Sequence, residues 1–367
     1  MARLTATTNS IVQGIITHFN GKTEVTTADV KEYCSSVGFS FPTINNRLKS
    51  YKSGRGQFNL TSTEIVTQLE DTLKTDTLVP PKDELFVPFG NFNDVKKIIQ
   101  SRIFYPSFIT GLSGNGKTHS VEQACASLNR EMIRVNITIE TDEDDLIGGF
   151  RLLNGETVWH DGPVVEALKR GAILLLDEVD LASNKIMCLQ SLLEGNGVYL
   201  KKINQYVKPA PGFNVVATAN TKGKGCDNGK FIGTNVLNEA FLERFAVTFE
   251  QDYPTPSVES KILVRNFESL GCTECMDHVQ NLVTWAEIIR KTYDDGGLED
   301  VITTRRLISI ARAFVIWGSI DKAIELCTNR FDSDTSKVFS ELYQKVTGPG
   351  ESLEVLDVPP TPIPTEF

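Results

Sequence analysis

The octet Gly111-Leu112-Ser113-Gly114-Asn115-Gly116-Lys117-Thr118 constrains this chain more than any other stretch. Its spacing, G-x-x-x-x-G-K-[ST], builds a loop whose backbone wraps closely around an anion. The pattern requires a strand before it and a helix after it. The apolar run Ser107–Thr110 and the helical stretch opening at Lys117 supply that context. There, Gly111, Ser113, Gly114, Asn115 and Gly116 form the cradle, with loop N–H groups and the helix N-terminus turned to phosphate. Lys117 would reach the β- and γ-phosphates, and the Thr118 hydroxyl would ligate magnesium. The cofactors this predicts are ATP and Mg2+.

Short apolar runs alternate with helical stretches beyond Phe86: 107–110, 132–136, 172–176, 214–219 and 246–249. An unbroken run such as Ile173-Leu174-Leu175-Leu176 suits a parallel strand buried on both faces. The expected fold class is α/β, a parallel sheet flanked by helices. Ligands in such sheets sit at the carboxyl ends of the strands, which is where the remaining candidates fall. Asp177 and Glu178 end one strand, Asp177 to hold magnesium and Glu178 to polarise the attacking water. Asn220 ends the next, placed to hydrogen-bond the water and the γ-phosphate. Arg244 precedes the last strand, where a guanidinium can stabilise a transferring phosphoryl group, in its own subunit or a neighbour's. Thr303-Thr304-Arg305-Arg306 offers a further arginine, Arg305 or Arg306, to sense the γ-phosphate.

Five segments are expected: a module over 1–58, a helix and linker over 59–83, the α/β core over 84–252, a helical lid over 253–346 and a Pro-rich acidic tail over 347–367. The head reads as helix, turn, helix, with Thr27 capping one helix, Gly38 ending it, and a second over Ile44–Tyr51. Arg47, Lys49, Lys52 and Arg55 follow, either as a nucleic-acid-binding set or as the solvated face of a docking module. The chain of 367 residues carries a net charge of −10, which excludes coating of nucleic acid by bulk charge and disfavours a membrane surface. Its seven cysteines show no framework spacing, so reduced thiols in the cytoplasm are expected. The first ten residues lack a long apolar region, and no apolar run approaches the ~20 residues of a membrane span. Cys272, Cys275 and His278 fall one ligand short of a zinc site. His119 and the lid residues Trp285 and Trp317 read as packing groups, His160 as an exposed turn residue, and the acids at 142–145 as a solvated loop.

These five elements, in this order, resemble an AAA+ ATPase over about residues 84–346. Residues 145–162, ending Trp159-His160-Asp161-Gly162, and Pro163–Asp180 resemble the MoxR/CobS branch, nearest the CobS subunit of cobaltochelatase. Leu192–Gly197, Tyr199–Lys208, Ala219-Asn220-Thr221 and Leu242-Glu243-Arg244-Phe245 extend the match. The resemblance implies a P-loop core with an α-helical lid and a small helical N-terminal domain. It assigns Lys117 and Thr118 to the phosphate loop, Asp177 and Glu178 to the acidic strand end, and Asn220 to the first sensor. Arg244 becomes a finger acting across a subunit boundary, and Arg305 aligns best with the second sensor. It also implies a homo-oligomeric ring, a hexamer, with two inserted hairpins facing its pore or one ring surface. Three readings follow: a chelatase motor, a chaperone of another protein complex, or a nucleic-acid-associated motor. The first would work with chelatase subunits, one carrying a von Willebrand factor A type domain. The head does not resemble that of the bacterial chelatase subunit; a head of this kind on such a motor resembles versions carried by cyanobacterial viruses.

Overall fold

The computed structural model describes residues 8–19, 22, 24–54, 56–60, 77–153, 155–225, 234–272 and 275–348. The expected helix within 61–75, Arg55, and the tail beyond 348 lie outside the described residues. The chain divides into two units, 1–77 and 78–367.

The first unit runs α1 (Thr8–His18), β1 (Glu24–Thr26), α2 (Thr27–Val37), α3 (Phe41–Arg47), β2 (Lys52–Gly54) and β3 (Gln57–Asn59). Helix α2 is capped by Thr26, one residue before the expected Thr27. The Thr26 hydroxyl accepts from the Asp29 N–H, and the Asp29 carboxylate accepts from the Thr26 N–H at 2.7 Å, a reciprocal box. Gly38, at φ 76°, ends the helix in the left-handed region. Of the second helix, expected over Ile44–Tyr51, only the part through Arg47 is α-helix, within α3; a 3₁₀ turn follows over Lys49–Tyr51. The expectation of a purely helical head is corrected by an antiparallel sheet in the order β1-β3-β2. Each strand has three residues, and β1 and β3 each bury one, Val25 and Phe58. So short a pattern carries no readable period. Ile11, Ile15, Val30, Ile44, Leu48 and Phe58 form the core of this unit.

The second unit begins its order with α4 (Phe92–Ser101), β4 (Ser107–Thr110), α5 (Lys117–Ser127), β5 (Met132–Asn136) and α6 (Glu143–Leu146). A hairpin of β6 (Gly148–Leu153) and β7 (Glu156–Asp161) leads to α7 (Pro163–Arg170) and β8 (Ile173–Asp177). Then come α8 (Gln190–Leu193), a second hairpin of β9 (Val198–Leu200) and β10 (Gln205–Val207), β11 (Asn214–Ala219), α9 (Glu239–Leu242) and β12 (Val247–Glu250). The five core strands form one parallel sheet in the order β12-β4-β11-β8-β5. The inner strands β4, β8 and β11 are buried at every position, so they read as continuous apolar runs. The edge strands β5 and β12 alternate instead, which lets β5 carry Arg134 outward. All five lie within a residue of their expected spans.

The lid is α10 (Pro256–Ser269), α11 (Met276–Asp294), α12 (Thr304–Trp317), α13 (Ile320–Thr328) and α14 (Ser333–Thr347). It packs around Trp285, which is fully buried and whose indole N–H donates to the Phe339 carbonyl at 2.9 Å. Trp317 is not the core anchor expected: it is the last residue of α12 and is 46% exposed. The acids at 142–145 are more than a solvated loop. Asp142 caps α6, and Asp144 pairs with Lys202 in the β9–β10 turn at 2.5 Å. Cys272 and Cys275, expected as reduced thiols, stand side by side with their Cα atoms 6.2 Å apart. Among the described residues no cluster of three or more His, Cys, Asp or Glu is set to hold a metal, and no helix is long and apolar enough to cross a membrane.

Candidate functional site

Strand β4 delivers the chain into the loop 111–116, and α5 leaves it. Gly111 lies at φ 148°, and a Cβ there would meet the Gln251 carbonyl oxygen at 2.1 Å. Gly114, at φ 71°, packs against Thr303 of the lid, where a Cβ would come within 2.8 Å. Only glycine meets both demands, of backbone angle and of space. The Asn115 amide is tied to the Gln251 carbonyl, fixing the loop to the segment after β12.

Lys117 is 8% exposed. Its ammonium donates to the Gly111 and Leu112 carbonyls at 2.6 and 2.9 Å and to Asn220 Oδ1 at 3.3 Å. Burial pulls its pKa from 10.5 down to about 8, against the opposing pull of Asp180, Asp177 and Glu178. The loop alone thus holds a desolvated cation whose partners are weak neutral acceptors.

The end of β8 faces this loop across a cleft of about 430 Å³ lined by Lys117, Thr118, Asp177, Glu178, Asn220 and Arg305, among others. Asp177 is buried; its Oδ1 accepts from the Thr118 hydroxyl at 2.8 Å and from the Thr218 hydroxyl. A hydroxyl and a carboxylate, both oxygen donors and already side by side, fit a small divalent cation such as magnesium. Glu178 is exposed and left-handed, at φ 58° and ψ 45°. Such a conformation is uncommon for a residue with a Cβ and costs on the order of 1–3 kcal/mol. The turn aims its carboxylate into the cleft instead of continuing the strand's alternation.

Three contributors escaped the sequence reading. Arg134 reaches from edge strand β5 and donates to Asp177 Oδ2 at 2.5 Å and to Glu122 at 3.1 Å. Asp180 is fully buried; one oxygen accepts from the Asn220 N–H, the Thr221 N–H and the Thr221 hydroxyl at 2.9–3.1 Å. It therefore sets the position of Asn220. Thr218 shares Asp177 and also accepts from the Glu178 N–H at 3.3 Å. Asp180 was open to discovery, since a carboxylate three residues after a strand end is near the site by necessity. Arg134 was not, because nothing in its local sequence distinguishes it from any edge-strand arginine.

The two lid arginines separate. Arg305 lines the cleft, and its N–H lies 3.4 Å from the Gly114 carbonyl. Arg306 does not line this cleft; it lines an adjoining pocket with Arg330 and Phe331, which Arg305 also borders. Arg244 is not brought into this cleft: its guanidinium pairs with Glu194 at 2.7 Å. The lid is coupled to the loop through Tyr253, whose hydroxyl donates to the Ser113 carbonyl at 2.9 Å. Arg290 lies over the Tyr253 ring at 4.1 Å and binds the buried Glu259 with two bonds of 2.8 Å. Thr304 donates to the same carboxylate at 2.6 Å.

His119, expected as packing, bridges Asp83 at 3.1 Å and Glu122 at 3.4 Å. The Glu122 hydrogen bond, foremost, raises its pKa against the opposing effect of burial. It pins the segment before α4 onto α5, beside a pocket of about 410 Å³ continuous with the phosphate loop.

A parallel sheet with a glycine-rich loop after the inner strand β4, Asn220 at the end of its neighbour β11 and two acids at the end of the next strand, β8, is the site of a P-loop nucleoside triphosphatase. Residues 106–245 match the AAA domain of the dynein-related subfamily. The chain is 28% identical over 247 residues to the aerobic cobaltochelatase subunit CobS of Sinorhizobium sp, covering 65% of this chain and 74% of that one. It is 33% identical over 222 residues to protein NorQ of Paracoccus denitrificans, covering 60% and 77%. An uncharacterized protein of Staphylococcus saprophyticus is 30% identical over 246 residues, covering 64% and 86%. The chain belongs to the AAA+ ATPases, in the MoxR/CobS branch, and binds and hydrolyses a nucleotide as that family does.

Proposed function

We propose that this chain is a magnesium-dependent, ATP-hydrolysing ring motor, a hexamer, that remodels a protein partner. The observation that carries the reading is the convergence of Lys117, Thr118, Asp177, Glu178, Asn220 and Arg305 on one cleft. Gly111, Ser113, Gly114, Asn115, Gly116 and Lys117 bind the phosphates through loop N–H groups and one ammonium. Thr118 and Asp177 would hold the magnesium ion, which supplies charge neutralisation at the phosphate oxygens. Glu178 orients the attacking water and takes its proton, while Asn220, held by Asp180, fixes the water against the γ-phosphate. Arg305 senses that phosphate from the lid. Arg244, tied to Glu194 within its own subunit, serves a neighbour's site. Loss of the γ-phosphate contact with Arg305 would be felt at Gly114 and carried to the lid through Tyr253, Arg290 and Glu259.

Two hairpins project from the core beside this machinery. Phe150, Leu152 and Val158 on the first and Tyr199 and Tyr206 on the second are 43–74% exposed, apolar groups suited to a protein partner. Similarity to the cobaltochelatase subunit supports insertion of cobalt into a corrin or porphyrin precursor as the process driven, with chelatase subunits, one of von Willebrand factor A type, as partners. Similarity to NorQ, at a higher identity, supports maturation of a different protein complex as the second reading. The test is a Glu178→Gln protein loaded with ATP and magnesium and mixed with purified chelatase subunits. Retention of those subunits only with ATP favours the first reading. Retention of none, by a variant that holds ATP normally, removes it.

A further inference from the structure

We propose that the first unit is a duplex-DNA-binding head, using the outer face of α3 with its 3₁₀ extension and the β2–β3 hairpin. The topology places these two elements together. Helices α2 and α3, joined at Gly38, form a helix-turn-helix, and the hairpin follows the second helix directly. Ile44 and Leu48 face the unit's core, which leaves Pro42, Thr43, Asn46 and Lys49 exposed on the opposite face. The hairpin buries Phe58 and exposes Lys52, Ser53 and Gln57.

Charge points the same way. Residues 1–60 carry seven Lys and Arg against three Asp and Glu, net +4, within a chain of net −10. Residues 33–63 hold four basic residues and no acidic one. The acids of the head lie elsewhere: Glu24 on β1, and Asp29 and Glu32 on α2, with Asp29 already paired to Lys22 at 3.0 Å. Lys31 sits over the Phe41 ring at 5.2 Å, adding a cation where α3 begins.

A helix of this width enters the major groove of a duplex, where Thr43 and Asn46 present hydroxyl and amide groups to base edges. Lys49 and Lys52 meet the phosphates on either side. A single strand is the poorer fit, because such sites stack bases on exposed aromatic rings. Among the described residues of this unit every Phe and Tyr is buried or largely covered. The inference does not depend on which partner the motor remodels.

The experiment is fluorescence anisotropy of the full chain with a labelled 25-base-pair duplex and the matching single strand, over a range of salt. The expected result is micromolar or tighter duplex binding at 50 mM salt that weakens steeply as salt rises. Joint Lys49→Glu and Lys52→Glu substitution should cut affinity at least tenfold and lower the slope of log affinity against log salt by about two. Asn46→Ala should weaken binding with that slope unchanged. ATP turnover should be the same in all three proteins. Absence of duplex binding, preference for the single strand, or equal binding by the double charge reversal would overturn the proposal.

Discussion

The depressed pKa of Lys117 makes nucleotide affinity depend on pH in a calculable way. Burial of its ammonium among neutral carbonyls lowers its pKa from an ordinary 10.5 to about 8. A triphosphate would supply the anion the site lacks and restore the charged form. Binding then takes up one proton at any pH between the two values. Affinity should be flat below about pH 7.5 and fall nearly tenfold per pH unit above 8. The full difference corresponds to roughly 3 kcal/mol, or a little over two decades. Phosphate's own titration, near pH 6, lies below this window.

The assay is equilibrium binding of a fluorescent ATP analogue to the Glu178→Gln protein between pH 7 and 9.5, so that hydrolysis does not intervene. Stability of the empty protein gives an independent check with the opposite sense. Between pH 8 and 10.5 the unfolded chain holds more protons at this lysine than the folded one, so folding stability should rise through that range. The penalty is fully present below pH 8 and gone above 10.5. Affinity that stays level from pH 7 to 9.5 would refute the reasoning, since the lysine would then not change charge on binding.

Other outcomes follow from the same site. Glu178→Gln should bind ATP normally while turnover falls roughly 10²–10⁴-fold, read by single-turnover phosphate release. Arg244→Ala should keep nucleotide binding and lose about 10³-fold in turnover, and mixing it with Lys117→Ala protein should restore activity in mixed rings if the arginine serves a neighbour. Arg134→Ala frees the carboxylate that Arg134 holds at 2.5 Å, a partly exposed pair worth about 1 kcal/mol, so ADP binding should reach half-saturation at about fivefold less magnesium. An unchanged magnesium dependence would show that Arg134 does not compete for Asp177.

Much of this was legible because the core is built from repeated local signals. Each buried parallel strand is a short apolar run, and each phosphate-binding element sits where such a run ends. The core strands therefore fall within one residue of expectation. The head was read only in part, since a three-residue strand such as Glu24–Thr26, with one buried side chain, cannot be told from a loop. Trp317 was misjudged for a related reason: residue type fixes how much apolar area a side chain offers, not whether the helix continues far enough to bury it.

The site divides along the same line. Lys117, Thr118, Asp177 and Glu178 are fixed by contiguous sequence, so spacing finds them. Arg134, Asp180 and Thr218 act through partners 40–43 residues away in the chain, and only the register of β5, β8 and β11 brings them together. Asn136 of β5 pairs with Asp177 of β8, which sets Arg134 two residues back on the same face and within reach of the carboxylate. A one-residue slip of that edge strand would turn Arg134 to the other face and leave Asp177 to Thr118 and Thr218. The phosphate loop can thus be recognised from its own eight residues, while the charge balance at its metal-binding carboxylate is decided by sheet register.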